Sequence, residues 1–118
     1  QYAHARIASI LRQANEAGLT SSLEHVDQLT EGKEEDLLMK LGDFPQLVAD
    51  AARLRAPHRV TTYVQELSAT FHSFYNAHKV VDEDAKELSS ARLALVEATK
   101  QTIKNALRLV GVSAPEKM

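Results

Sequence analysis

Apolar residues return every three or four positions along most of this 118-residue chain, and no alternating stretch competes with them. That spacing predicts helices. A first helix over about 2–17 carries Ala3, Ile7, Ile10, Leu11 and Ala14 on one face, with Gly18 as its stop. Residues 19–32 lose the period and read as a loop, where Thr20-Ser21-Ser22 can start a short turn. A short helix over about 34–41 turns Leu37, Leu38 and Leu41 inward, and Gly42 follows it. Asp43 can cap a third helix that tolerates Pro45 in its first turn. Phe44, Leu47, Val48, Ala51 and Leu54 point inward from it, and Pro57 ends it. The fourth helix, about 58–79, has the clearest stripe: Val60, Tyr63, Val64, Leu67, Phe71, Phe74, Tyr75 and His78. After an acidic connector, a last helix over about 85–110 aligns Leu88, Leu95, Val96, Thr99, Ile103, Ala106, Leu107 and Val110. Gly111 is placed to take the left-handed cap conformation. The expectation is an all-α bundle of about five helices, two long and three short, in a single domain over 1–118.

Composition narrows the class. A chain that is 44% hydrophobic but only 5% aromatic suits a core of Leu, Val and Ala. No stretch approaches the roughly 20 apolar residues of a membrane span, so no membrane partner is expected. The chain begins with Gln1 and shows no signal peptide, so it reads as a fragment of a larger protein. The absence of cysteine excludes disulfides and thiolate metal sites and fits a cytoplasmic protein. His4, His25, His58, His72 and His78 include no pair at the spacing that sets two ligands on one helix face. The glycines are scattered singly, with no phosphate-cradling loop. Glu34, Glu35 and Asp36 read as helix-start charges favoured by the dipole. Neither a catalytic residue nor a metal site is expected.

The net charge of −2 argues against a generic nucleic-acid binder, which is usually basic. The distribution softens that objection. Residues 18–36 and 82–87 hold the acidic excess. The first helix is slightly basic through Arg6 and Arg12, and the last through Arg92, Lys100, Lys104 and Arg108. Lys100, Lys104 and Arg108 wind along the face away from the apolar stripe, where they either contact phosphate or are simply solvated. Arg92 projects onto the apolar side near Leu88, Leu95 and Thr99. A charge there needs an ion pair or carbonyl partners.

On the first helix Tyr2, Arg6, Ser9 and Gln13 share a stripe away from the core face. An aromatic ring beside a guanidinium suits an unpaired base, which can stack on the ring and offer phosphate to the cation. A boundary tyrosine covering the core edge gives the same pattern. On the fourth helix Phe71 and Phe74 belong to the packed face. His72 and Asn76 share the polar face one turn apart, available to RNA or to a partner domain, and Tyr75 at the edge suits either role.

Three segments together resemble the arginyl-tRNA synthetases, bacterial type. Tyr2-Ala3-His4-Ala5-Arg6-Ile7 is similar to the start of that family's anticodon-binding domain. Phe71-His72-Ser73-Phe74-Tyr75-Asn76 is similar to its Phe-His-x-Phe-Tyr-Asn motif. Gly111-Val112-Ser113-Ala114-Pro115-Glu116-Lys117-Met118 is similar to its carboxyl terminus. The segments stand in family order and span nearly the whole chain. One departure is clear: Asn105 stands where the domain's Asp-Ala-Leu-Arg signature has Asp.

The resemblance implies an anticodon-binding domain that does no chemistry and needs no cofactor of its own. Its parent, an arginine-tRNA ligase, would use ATP and magnesium. The implied partners are the anticodon loop of tRNA(Arg) and the parent's catalytic domain, with the protein a monomer. The resemblance points to Tyr2 and Arg6, and to Met118 presented by a tail that folds back, as RNA-binding residues; Lys104 and Arg108 join them as phosphate candidates, and Asn76 as a candidate on the polar face of the fourth helix, from their positions alone. The alternative is a helical docking module that uses the His72–Asn76 face without RNA. The corresponding domain of the cysteine or glycine enzymes is disfavoured by the chain's ending.

Overall fold

The structure, a computed structural model, describes residues 2–113, and the side chains of 3–111. Its helices are α1 (Tyr2–Glu16), α2 (Gly32–Gly42), α3 (Phe44–Arg53), α4 (His58–Ala77) and α5 (Lys86–Ser113), with a 3₁₀ turn at Val26–Gln28. No strand occurs among the described residues. The all-α bundle read from the periodicity is the architecture found.

α1 stops as its sequence directs. Gly18 takes φ +75°, and Leu19 and Gly18 donate their N–H groups back to the Ala14 (2.9 Å) and Asn15 (3.1 Å) carbonyls. This is a Schellman closure, which favours glycine at the left-handed position. α3 closes the same way, with Ala56 and Arg55 bonding to the Ala51 (2.8 Å) and Ala52 (3.2 Å) carbonyls. Here Arg55 itself occupies the left-handed position at φ +53°, a conformation that strains an L side chain.

Two predicted boundaries differ. Asp43 does not cap α3 with its side chain. Its backbone is helical (φ −76°, ψ −14°), so α2 runs into α3 through a helical residue. Gly111 is not a left-handed cap either. α5 continues through it to Ser113, since a glycine inside a helix costs only about 1 kcal/mol.

The core joins Ala3, Ile7, Ile10 and Ala14 of α1 to Tyr63, Leu67, Phe71 and Phe74 of α4 and Ala91, Leu95, Val96 and Ile103 of α5. Phe71 and Phe74 are fully buried, as their stripe predicts. Leu38, Leu54 and Leu107 were expected inward but are exposed. The outer helices touch the core along narrower faces than their apolar stripes. The segment between α1 and α2 is tied to α5: Leu19 and Leu29 are buried, Ser22 N–H donates to the Ser90 carbonyl (3.2 Å), and Ser21 Oγ donates to Glu97 Oε1 (2.7 Å).

One charged knot crosses the interior. Arg92 Nε donates to Glu34 Oε2 at 2.7 Å, and Arg92 Nη1 to the Lys79 carbonyl at 3.1 Å. Its Nη2 meets His78 Nδ1 at 3.2 Å. The other Glu34 oxygen accepts the Glu31 N–H at 3.0 Å, as in half of a capping box. Arg92 is thus the structural ion pair that its position on the apolar side requires. Glu34 does stand in the first turn of α2, as read from the sequence, and it is in addition the fully buried partner of Arg92.

Candidate nucleic-acid interface

α1 packs on α4 and α5, and its two flanks carry different chemistry. Successive residues of a helix are about 100° apart. Arg6 and His4 therefore face opposite ways, with the core residue Ile7 between them. On the α4 flank the Arg6 guanidinium carbon lies 4.6 Å from the centroid of the Tyr75 ring. Tyr75 in turn stacks on the buried Phe71, at 6.4 Å between centroids and 25° between planes. The core thus seats the ring, and the ring seats the cation, a contact worth about 0.5–1 kcal/mol at an exposed site. The His72 imidazole is held below its ordinary value of 6.5, first by burial and then by the Arg6 charge. A neutral imidazole offers one donor and one acceptor, and the exposed Asn76, one turn further along α4, offers both through its amide.

On the α5 flank Lys104 lies with Lys100 on the rim of a groove opposite His4. Arg108 is exposed one turn beyond. The residues expected to meet RNA therefore form two clusters, not one. Arg6 joins the α4 surface that ends in Asn76, while Lys104 and Arg108 line α5. Tyr2 begins α1, and its side chain lies outside those described. Met118 lies outside the described residues. No group of His, Asp or Glu able to hold a metal ion occurs among the described residues.

A family model for the DALR anticodon binding domain matches residues 1–118. The chain belongs to that family. It is 57% identical, over its whole length, to the arginine-tRNA ligase 2 of Bacillus thuringiensis subsp. konkukian (strain 97-27) and 55% identical to the arginine-tRNA ligase of Bacillus subtilis (strain 168). The corresponding figure for the arginine-tRNA ligase 1 of Halalkalibacterium halodurans is 53%. The chain spans about a fifth of the length of the curated relatives it matches (21% in the first two).

This DALR domain separates its charges along α5. At the helix's beginning Gln28 Nε2 donates to Glu87 Oε1 (3.0 Å), and His25 lies 3.9 Å from the same carboxylate and 3.7 Å from Glu24. The acidic loop and acidic connector thus meet at one place. From Lys86 to Lys104 the helix rises about 27 Å, so the lysines stand well over a Debye length from that acidic end. The overall −2 therefore says little about the field near α1. The sequence reading treated Tyr75 as undecided and passed over His4. The sequence signal for His4 was the wheel of α1, which sets it opposite Arg6; that Tyr75 of α4 lies under Arg6 is a tertiary fact.

Proposed function

We propose that this chain reads the anticodon loop of tRNA(Arg) as the anticodon-binding part of an arginine-tRNA ligase, and that it carries no catalytic residue. The observation that carries the reading is the match of all 118 residues to an anticodon-binding family. The names of the relatives supply the amino acid. The Arg6–Tyr75–His72 cluster supports a base-contacting surface: stacked cation and ring, a neutral imidazole, and an amide. Tyr2, Arg6, Asn76 and Met118 would contact bases, and Lys104 and Arg108 phosphates. A reader of the central cytosine would reject other bases by leaving its own buried polar groups unpaired. The rest of such a ligase would supply ATP and magnesium chemistry in a catalytic domain, with the enzyme acting as a cytoplasmic monomer.

The test is a titration of the isotopically labelled chain with an arginine-anticodon stem-loop at fixed low salt, against a stem-loop with a changed central anticodon base. Amide shifts at Tyr2, Arg6 and Met118 that depend on that base are expected. Equal shifts with both RNAs mean phosphate attraction alone and sink the reading.

A second reading, docking without RNA, draws on one observation. Leu23 is 77% exposed in a groove it shares with Ala94, Glu97 and Ala98, and no Lys or Arg is among the described residues that line it. On that reading neither RNA moves any amide.

A further inference from the structure

The groove on the α5 flank of α1 has a composition that neither the core nor the Arg6 cluster uses. It encloses about 430 Å³ and is lined by His4, Ile7, Lys100, Ile103, Lys104 and Leu107, a volume within the usual range for small-ligand clefts. Its floor is aliphatic: Ile7 is 1% and Ile103 7% exposed, while Leu107 forms a wall open to solvent at 43%. Its rim carries Lys100 and Lys104, and no acidic residue lines it among the described residues. Lys100 and Lys104 stand one helical turn apart, about 6 Å between neighbouring positions.

We propose that this groove takes one unpaired nucleotide of the RNA, its base against Ile7, Ile103 and Leu107 and its phosphate at Lys100 and Lys104. The inference rests on the anticodon-binding reading and deepens it. It gives the loop two seats, one on each flank of α1, so that bases splay to both sides of the helix.

The chemistry selects this occupant. An unstacked base is a flat body that packs on apolar side chains and carries its own anion, and apolar pockets serve flipped bases elsewhere. A second copy of the chain is disfavoured, because pairing this face with itself sets lysines against lysines. A purely apolar segment would leave both ammonium groups without a counterion. An acidic peptide satisfies the lysines but has no special use for the flat aliphatic floor.

The experiment uses anticodon stem-loops with 4-thiouridine placed at each loop position in turn, cross-linked to the 118-residue chain and mapped by mass spectrometry. One loop position should cross-link to the peptides holding His4–Ile7 or Ile103–Leu107. Leu107→Glu, at an exposed wall, should abolish that cross-link and weaken binding about tenfold. It should leave the cross-links at the Arg6–Tyr75 flank in place, with circular dichroism confirming the fold. Lys100→Ala with Lys104→Ala should flatten the plot of log affinity against log salt by about 0.7, the contribution of one phosphate contact to a single strand.

Base-selective binding with no cross-link in the groove overturns this inference and spares the anticodon reading. So does undiminished affinity in Leu107→Glu. Concentration-dependent shifts of the groove amides without RNA overturn it in favour of a second copy. No binding of any stem-loop overturns both.

Discussion

Replacing Arg92 by methionine isolates the charged knot at the centre of the bundle. Methionine keeps most of the aliphatic stem and removes the guanidinium. Glu34 is then left with Oε2 buried and without its 2.7 Å partner, while Oε1 still accepts the Glu31 N–H. The Lys79 carbonyl and His78 Nδ1 lose their contacts as well. Glu34 is fully buried and Arg92 is 11% exposed at its side chain, so water offers little relief. Breaking a buried pair from one side costs about 3–5 kcal/mol. A domain of this length has about 6–18 kcal/mol in all, so Arg92→Met still folds but loses a large share of its stability. With an m-value of about 2 kcal/mol per M, the urea midpoint by circular dichroism falls by about 1.5–2.5 M. The pair Glu34→Leu with Arg92→Met should recover most of that loss, since no uncompensated charge remains. A loss below about 1 kcal/mol in Arg92→Met, the range of a solvated pair, would refute the reasoning. So would a double variant no more stable than the single one.

The two left-handed helix closures give opposite results for opposite changes. Gly18→Ala meets no neighbouring atom, so only its φ of +75° is strained and thermal denaturation should show a loss of about 1–2 kcal/mol. Arg55→Gly, at φ +53°, should gain up to about 1 kcal/mol in the same assay. His72 resists protonation in the folded state more than in the unfolded chain. Stability should therefore fall as pH drops through 6.5, because the unfolded state then binds more protons. In His72→Gln urea midpoints across that range should become flatter, and an unchanged slope would contradict the assignment. Phe71→Ala, at a fully buried position, should cost about 3–5 kcal/mol by urea denaturation.

The sequence carried the helices well, because Ala3, Ile7, Ile10 and Ala14, or Leu67, Phe71 and Phe74, repeat the period that burial imposes. It also required a partner for Arg92, a charge on an apolar face. It did not name Glu34, because a carboxylate in the first turn of a helix looks the same whether it faces solvent or a guanidinium 58 positions away. Leu38 and Leu107 failed for a related reason: periodicity reports which face is apolar, not how wide a neighbour covers it. Within the site, Arg6 and Lys104 were both legible as cations off the core face. Their separation onto two flanks was not, since it depends on α1 lying between α4 and α5. The Schellman closure at Gly18 was readable from one residue, whereas the same closure at Arg55 gave no glycine to announce it.

α1 and α5 also set the order in which this surface can come into being during synthesis. α2, α3 and α4 lie near one another in sequence and can pack as soon as they emerge. α1 packs on both α4 and α5, so Ala3, Ile7, Ile10 and Ala14 gain their full burial only once α5 has also emerged. The segment that follows α1 waits too, since Ser21 and Ser22 fasten to Glu97 and Ser90. The α5 flank of α1 is therefore finished late. A nascent or truncated chain lacking α5 has no groove at all, so on this reading a half-made protein does not sequester the RNA that the finished one is built to hold.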